Sequence, residues 1–266
     1  MFSAKNSFFT KQAAAGYDAD AQAFFTAAAI TNATQKTAVN NLVVALKGYG
    51  IWAKMAAIYP LVGGTASTCK YNLKDPRDLD AAYRLTFTGG NNLVISATGI
   101  QSLTTAPGVF ANTKFNPTTV GFTKDNIALS WYSRTNNTNG SYDMGGDMIG
   151  SQLALIVYGV GAYLIAYGVF GAGVANSLGF YAGSSTNIQQ AVYKNGTKIA
   201  FVGAVGSSTI DTNVPIYLLA NPRQYPTETS TREFAYASIG TGLTDAEQAN
   251  HYTAVQAYQT TLGRQV

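Results

Sequence analysis

Apolar residues first recur at helical spacing. Ala21, Phe24, Phe25 and Ala28 fall at i, i+3, i+4 and i+7, which places them on one face of a helix. Asp18 and Asp20 stand where a carboxylate can cap the exposed backbone N–H groups of its first turn. Val39, Leu42, Val43 and Leu46 repeat the spacing between a capping stretch at Thr31 to Gln35 and a stop at Gly48, predicting a second short amphipathic helix. Ile51 to Val62 is apolar over most of its length, meets Pro60 and breaks at Gly63-Gly64. It is expected to pack under a sheet, with Trp52 and Tyr59 serving the core rather than a ligand platform.

Beyond Gly64 the period changes from 3.6 to 2. Strand-forming runs appear at Tyr83 to Thr88, Asn92 to Thr98, Ile127 to Arg134, Leu153 to Tyr158, Ala162 to Tyr167, Val214 to Ala220 and Glu233 to Ser238. Turn residues separate them, the signature of a sandwich or barrel. Within QQAVYKNGTKIAFVG, Asn195-Gly196 supplies the two positive-φ residues of a type I′ turn, so Ala191 to Lys194 and Thr197 to Val202 should form a hairpin. Thr244 and Glu247 make a T-x-x-E capping box. His251, Val255, Tyr258 and Leu262 then share one face of a closing helix that ends at Gly263.

One stretch reads two ways. Gln152 to Ala175 carries no charge and is long enough to cross a bilayer as a helix. Its five glycines, three tyrosines and lack of flanking basic residues favour strands buried on both faces and broken at glycine.

Composition sharpens this picture. Of 266 residues, 47% are hydrophobic and only 11% charged, well under the roughly one quarter usual for a soluble domain. Thr, Ser, Asn, Gln, Gly and Tyr replace the missing charge, favouring strands, turns and neutral hydrogen-bonding surfaces. The net charge of +4 is spread along the chain, without the concentrated basic patch that nucleic acid requires. Cys69 is alone, so no intrachain disulfide forms. The first residues lack the apolar core of a signal peptide, which predicts synthesis in a cytoplasm without secretion.

Candidate chemistry is sparse. The single histidine, His251, has no second histidine or thiolate to join it in a zinc site, and is expected to pack on its helix face. Asp75, Asp78 and Asp80 sit beside Lys74, Arg77 and Arg84, while Glu228 and Glu233 flank Arg232; both groups read as local charge pairing. Asp245 and Glu247 occupy a helix first turn, where negative charge is favourable. Asp143 and Asp147 in GSYDMGGDMIG lack the dense spacing of a calcium loop. No catalytic residue, metal ligand or cofactor is therefore assigned. Should the chain bind a glycan, Tyr142, Asp143 and Asp147 are the residues to expect, through stacking and hydrogen bonding.

Four segments carry a resemblance: YDADAQAFFTAAAITNATQKTAVNNLVVALKGYGIWAKMAAIYPLVGGTAS, KYNLKDPRDLDAAYRLTFTGG, LSWYSRTNNTNG and FAYASIGTGLTDAEQANHYTAVQAYQTTLGR. With the VYKNGTKI hairpin they reach from about Tyr17 to Arg264, and together they resemble the concanavalin A-like, LamG-like jelly-roll proteins of tailed-phage virions, especially those of phages infecting Bacteroidota. The resemblance implies a mainly β fold, a two-sheet antiparallel β-sandwich with N-terminal helices and a C-terminal helix. It divides the chain into a leader at 1–16 that docks on a neighbouring virion protein, a helical segment at 17–64 packed on the sandwich, and the sandwich with its closing helix at 65–266. Leu93 to Phe115 and Gln152 to Phe180 fit the family pattern poorly and are expected to hold protein-specific loops and assembly contacts.

These observations point first to a non-enzymatic virion structural or decoration protein: a head fibre, capsid-surface or tail-associated subunit. Its expected partners are other virion proteins and further copies of itself, with neither nucleic acid nor membrane insertion. A carbohydrate-binding attachment module, taking a host surface glycan, is the second reading. A glycoside hydrolase on the same fold is third, because no strand-borne pair of acids stands out.

Overall fold

The computed structural model describes residues 16–137, 141–148, 151–158, 161–166, 169–208, 210, 214–221 and 229–266. Helices α1 (Ala19–Ala27) and α2 (Ala33–Gly48) are followed by strand β1 (Met55–Tyr59), a one-turn helix α3 (Ala66–Cys69), then β2 (Thr86–Thr88), β3 (Leu93–Ser96), β4 (Gly99–Ser102) and β5 (Phe110–Asn112). Next come β6 (Ile127–Ser133), β7 (Ser141–Met148), β8 (Ser151–Tyr158), β9 (Gly161–Ala166) and β10 (Val169–Gly173). The chain continues through β11 (Gly179–Ser185), β12 (Gln189–Lys194), β13 (Thr197–Gly203), β14 (Tyr217–Leu218), β15 (Phe234–Gly240) and α4 (Asp245–Thr261).

The strands form the expected two antiparallel sheets. One runs in the order β13-β12-β11-β6-β15-β4-β3, with β1 also pairing to β15; the other runs β10-β9-β8-β7-β14-β5-β2. Strand β6 shows why the first sheet is the centre of the molecule. Ile127, Leu129 and Trp131 point into the core between the sheets, whereas Ala128 and Tyr132 point into a second core under the helices. A strand covered on both faces needs no polar alternation, and all seven residues of β6 are buried. Trp131 stacks between Tyr181 and Phe234, each ring centroid 4.9 Å away, so an aromatic row crosses β11, β6 and β15.

Helices α1, α2 and α4 form a third layer. Phe24, Phe25, Val39, Leu42, Val43 and Leu46 are buried there as their spacing predicts, with Val255 and Tyr258 of α4. Asp18 and Asn32 cap α1 and α2 through backbone N–H groups. The Thr244–Glu247 box opens α4 as expected, Thr244 accepting from the Glu247 amide and the Glu247 carboxylate accepting from the Thr244 amide. The β12–β13 hairpin also forms as read, with Asn195 at φ 49° and Gly196 at φ 75°.

Three local expectations change. Met55–Tyr59 lies within the sheet and not under it, because β1 pairs with β15 from Met55–Gly240 to Tyr59–Ala237. Gln152 to Phe180 holds four strands: β8, β9 and β10 build three antiparallel strands of the second sheet and β11 begins at Gly179. Likewise β3, β4 and β5 fall within Leu93 to Phe115, so both stretches hold sheet strands as well as loops, and in Gln152 to Ala175 these are the strands its glycine-broken pattern favoured. Of the run Val214 to Ala220, Tyr217 and Leu218 form β14 and Ala220 makes an isolated bridge to Thr229. Among the described residues no helix is long and apolar enough to cross a membrane.

Candidate functional site

Antiparallel strands return their turns to two ends of a sandwich, and five connections of this chain meet at one of them. They are the residue before β1, the turn into β6, the β11–β12 turn, the segment after β13, and the β15–α4 turn. A cleft of about 690 Å³ opens between them, lined by Lys54, Thr123, Asp125, Asn126, Thr186 to Gln189, Ser207, Gly242 and Thr244 to Ala246.

Part of this wall is rigidly braced. Asp245 accepts from Tyr193 Oη at 2.7 Å, Gln189 Nε2 at 2.8 Å and Lys198 Nζ at 2.7 Å. The Lys198 ammonium, followed by the Tyr193 hydroxyl, holds the Asp245 carboxyl below its ordinary range. Burial pushes the Tyr193 phenol up, and its bond to Asp245 acts in the same direction. Lys54 binds Glu247 at 2.6 Å across 193 positions of sequence, tying the approach to β1 onto α4. Burial raises the Glu247 carboxyl, but Lys54 and the Thr244 amide outweigh it and keep it low. Asn126 Oδ1 accepts from the Gly242 amide at 2.9 Å, fixing the turn into β6 against the β15–α4 turn.

The remaining lining groups keep hydrogen-bonding capacity. Among the described residues, the side chains of Thr123, Asp125, Asn187 and Ser207 have no hydrogen-bond or ion-pair partner. Ile188, at the tip of the β11–β12 turn, is 69% exposed. The site thus offers neutral donors and acceptors, one uncompensated carboxylate and an apolar surface at the rim.

The residues expected from sequence lie elsewhere. Asp143 on β7 is buried and forms an ion pair with buried Arg232 at 2.6 Å. It also accepts from Ser230 Oγ at 2.6 Å and the Val157 amide at 2.7 Å. Burial pushes the Asp143 carboxyl up, against the opposing pull of Arg232. Its oxygens serve the fold and do not face a ligand. Tyr142 is half-buried on the outer side of the second sheet, packed with Ala154, Ile156 and Tyr163. Asp147 sits in β7 paired with Gln152, and its side chain lies outside the described residues. Arg232 precedes β15 and Gly242 follows it, so this seven-residue strand, about 23 Å long, separates Asp143 from the cleft.

His251 is buried in α4, its Nε2 within 2.9 Å of Tyr236 Oη, and burial drives its pKa down to about 3. It packs as its helix face predicts. Among the described residues no group of three or more His, Cys, Asp or Glu side chains gathers to hold a metal. Sequence reasoning missed Asp125, Asn187 and Ser207. The signal available was the polar turns themselves, Thr123 to Asn126 and Thr186-Asn187, which the order of strands brings to one end.

No family model matches the chain, and no curated protein sequence matches it. Solved structures do share its fold. Domain 4 of AbnA, a GH43 extracellular arabinanase from Geobacillus stearothermophilus solved with arabinotriose, aligns at a TM-score of 0.51 and 13% identity, over 74% of this chain and 98% of that one. Trypanosoma rangeli sialidase in complex with sialic acid aligns at 0.52 and 12%, over 75% of this chain and 33% of that one. The binding domain of botulinum neurotoxin serotype D aligns at 0.53 and 10%, over 77% and 52%. The chain therefore spans nearly the whole arabinanase domain, a third of the sialidase and about half of the toxin domain. At such identities the likeness is one of fold.

Proposed function

We propose that this chain is a non-catalytic glycan-binding β-sandwich whose site is the cleft at the β6, β11–β12 and β15–α4 turns. One observation carries the reading: a braced, largely neutral cleft retains unspent hydroxyl, amide and carboxylate groups beside the exposed Ile188. Sugars are bound by such groups, through hydrogen bonds to hydroxyls and contact with their C–H faces. The similarity in fold to an arabinanase domain solved with arabinotriose supports this reading.

Binding without turnover fits the disposition of the acids. Glycoside hydrolysis ordinarily uses two carboxyl groups placed across the scissile bond. Asp245 and Glu247 are held in ion pairs with Lys198 and Lys54, which leaves Asp125 as the acid facing the cleft without a partner among the described residues.

The biological setting we propose is the particle of a tailed phage, where the chain is an oligomeric attachment or decoration subunit beside other virion proteins, assembled in the host cytoplasm. This part rests on the sequence resemblance spanning about Tyr17 to Arg264. Two measurements test the proposal. A glycan array probed with the full chain should give hits that are lost on altering Asn187 and Ser207, and mass spectrometry of purified virions should find the chain as a stoichiometric component. An array without hits contradicts the first part, and virions lacking the chain contradict the second.

A further inference from the structure

The charges around the cleft select among glycans. Asp245 spends its carboxylate on three donors, and Lys54 is matched by Glu247. Each of these charges is balanced at the wall and offers a ligand little net field. Asp125 differs, because its half-buried carboxylate lines the cleft with no partner among the described residues. Asn187, Ser207 and Thr123 are neutral, and Asn126 has committed its Oδ1 to Gly242, leaving its amide NH2 as a donor. The uncompensated charge presented to a ligand is therefore negative.

A carboxylate accepts two hydroxyl hydrogen bonds in a charge-assisted pair, a geometry that vicinal hydroxyls of a sugar satisfy. The same group repels a second carboxylate, and does so more strongly in a recess than in open water. A protonated amine is attracted by it. We infer that the cleft takes neutral sugars presenting a vicinal diol, or amino sugars presenting an ammonium beside a hydroxyl, to Asp125, and discriminates against uronic and sialic acids. This rests on the glycan-binding reading above and adds the ligand class and the residue that sets it.

The test sorts a glycan array by charge and follows it with calorimetric titration of the full chain. The probes are a neutral galacto-oligosaccharide, a chitosan oligosaccharide and an oligogalacturonate of equal length. Neutral or amino probes should bind at least about tenfold more tightly than the oligogalacturonate at low salt, and Asp125→Asn should shrink that ratio to about threefold or less. Asp125 is on a surface turn, and an unchanged melting temperature confirms that the variant is folded. Equal or tighter binding of acidic glycans by the wild-type chain overturns this inference and leaves glycan binding standing. So does a ratio that Asp125→Asn does not move. Failure of the chain to retain any glycan on the array overturns the glycan-binding reading itself.

Discussion

Arg232 and Asp143 face each other 2.6 Å apart with both side chains almost wholly removed from solvent. Arg232 also donates to the carbonyls of Asn137 and Val157, each at 2.8 Å. The pair thus joins the entry of β15 to β7 and β8, and so one sheet to the other. Arg232→Ala would strand a buried carboxylate, and should cost about 3–5 kcal/mol. Asp143→Asn would leave the buried Arg232 guanidinium, which cannot shed its proton, facing a neutral amide, and should cost a similar amount. Urea denaturation of the two variants checks both.

Stability should depend on pH through His251. Its folded pKa of about 3 lies below the ordinary 6.5, so between those values the unfolded chain binds a proton that the folded chain refuses. Stability is therefore complete above about pH 6.5 and falls as the pH drops, by roughly 2 kcal/mol at pH 5. His251→Gln should flatten the curve between pH 6.5 and 5. Denaturation midpoints measured at several pH values decide the matter.

Gln248 offers a gain in stability. It is buried on α4, and neither its Nε2 nor its Oε1 finds a partner among the described residues. Leucine has a similar volume and no polar group to desolvate, so Gln248→Leu should stabilise the protein by about 1–2 kcal/mol. A rise in thermal midpoint is the expected readout.

The hairpin turn makes the opposite prediction. Gly196 has φ 75°, and a Cβ there would lie 3.0 Å from Cβ of Tyr252 on α4. Gly196→Ala should therefore cost about 1–2 kcal/mol from backbone strain and crowding. Asn195→Gly relaxes the neighbouring left-handed position but removes the Oδ1 that accepts from the Phe180 amide at 2.8 Å, so it too should cost about 1–2 kcal/mol. Chemical denaturation of both variants gives the comparison.

What the sequence revealed was mostly local. The Asn195-Gly196 turn, the Thr244–Glu247 box and the helical faces of α1, α2 and α4 depend on residues a few positions apart, so their physics is written in short windows. Strand β1 was hidden because MAAIY has no alternation when both of its faces are covered. Asp143 looked like a ligand in a glycine-rich run because its partner Arg232 lies 89 positions away. The cleft was illegible for the same reason, since Asp125, Asn187, Ser207 and Asp245 are brought together by strand order and by pairs such as Lys54–Glu247. Polar turns could be seen, but not which of them share an end.

The central claim is that the cleft binds a glycan, and blocking it tests this most directly. Asn187→Trp places a large ring at the exposed β11–β12 turn, away from the braced wall and both cores. With the tightest-binding array glycan as titrant, calorimetry should show affinity reduced by at least about thirtyfold, equivalent to roughly 2 kcal/mol, while the thermal midpoint stays where it was. Undiminished binding by a folded Asn187→Trp chain would contradict the account.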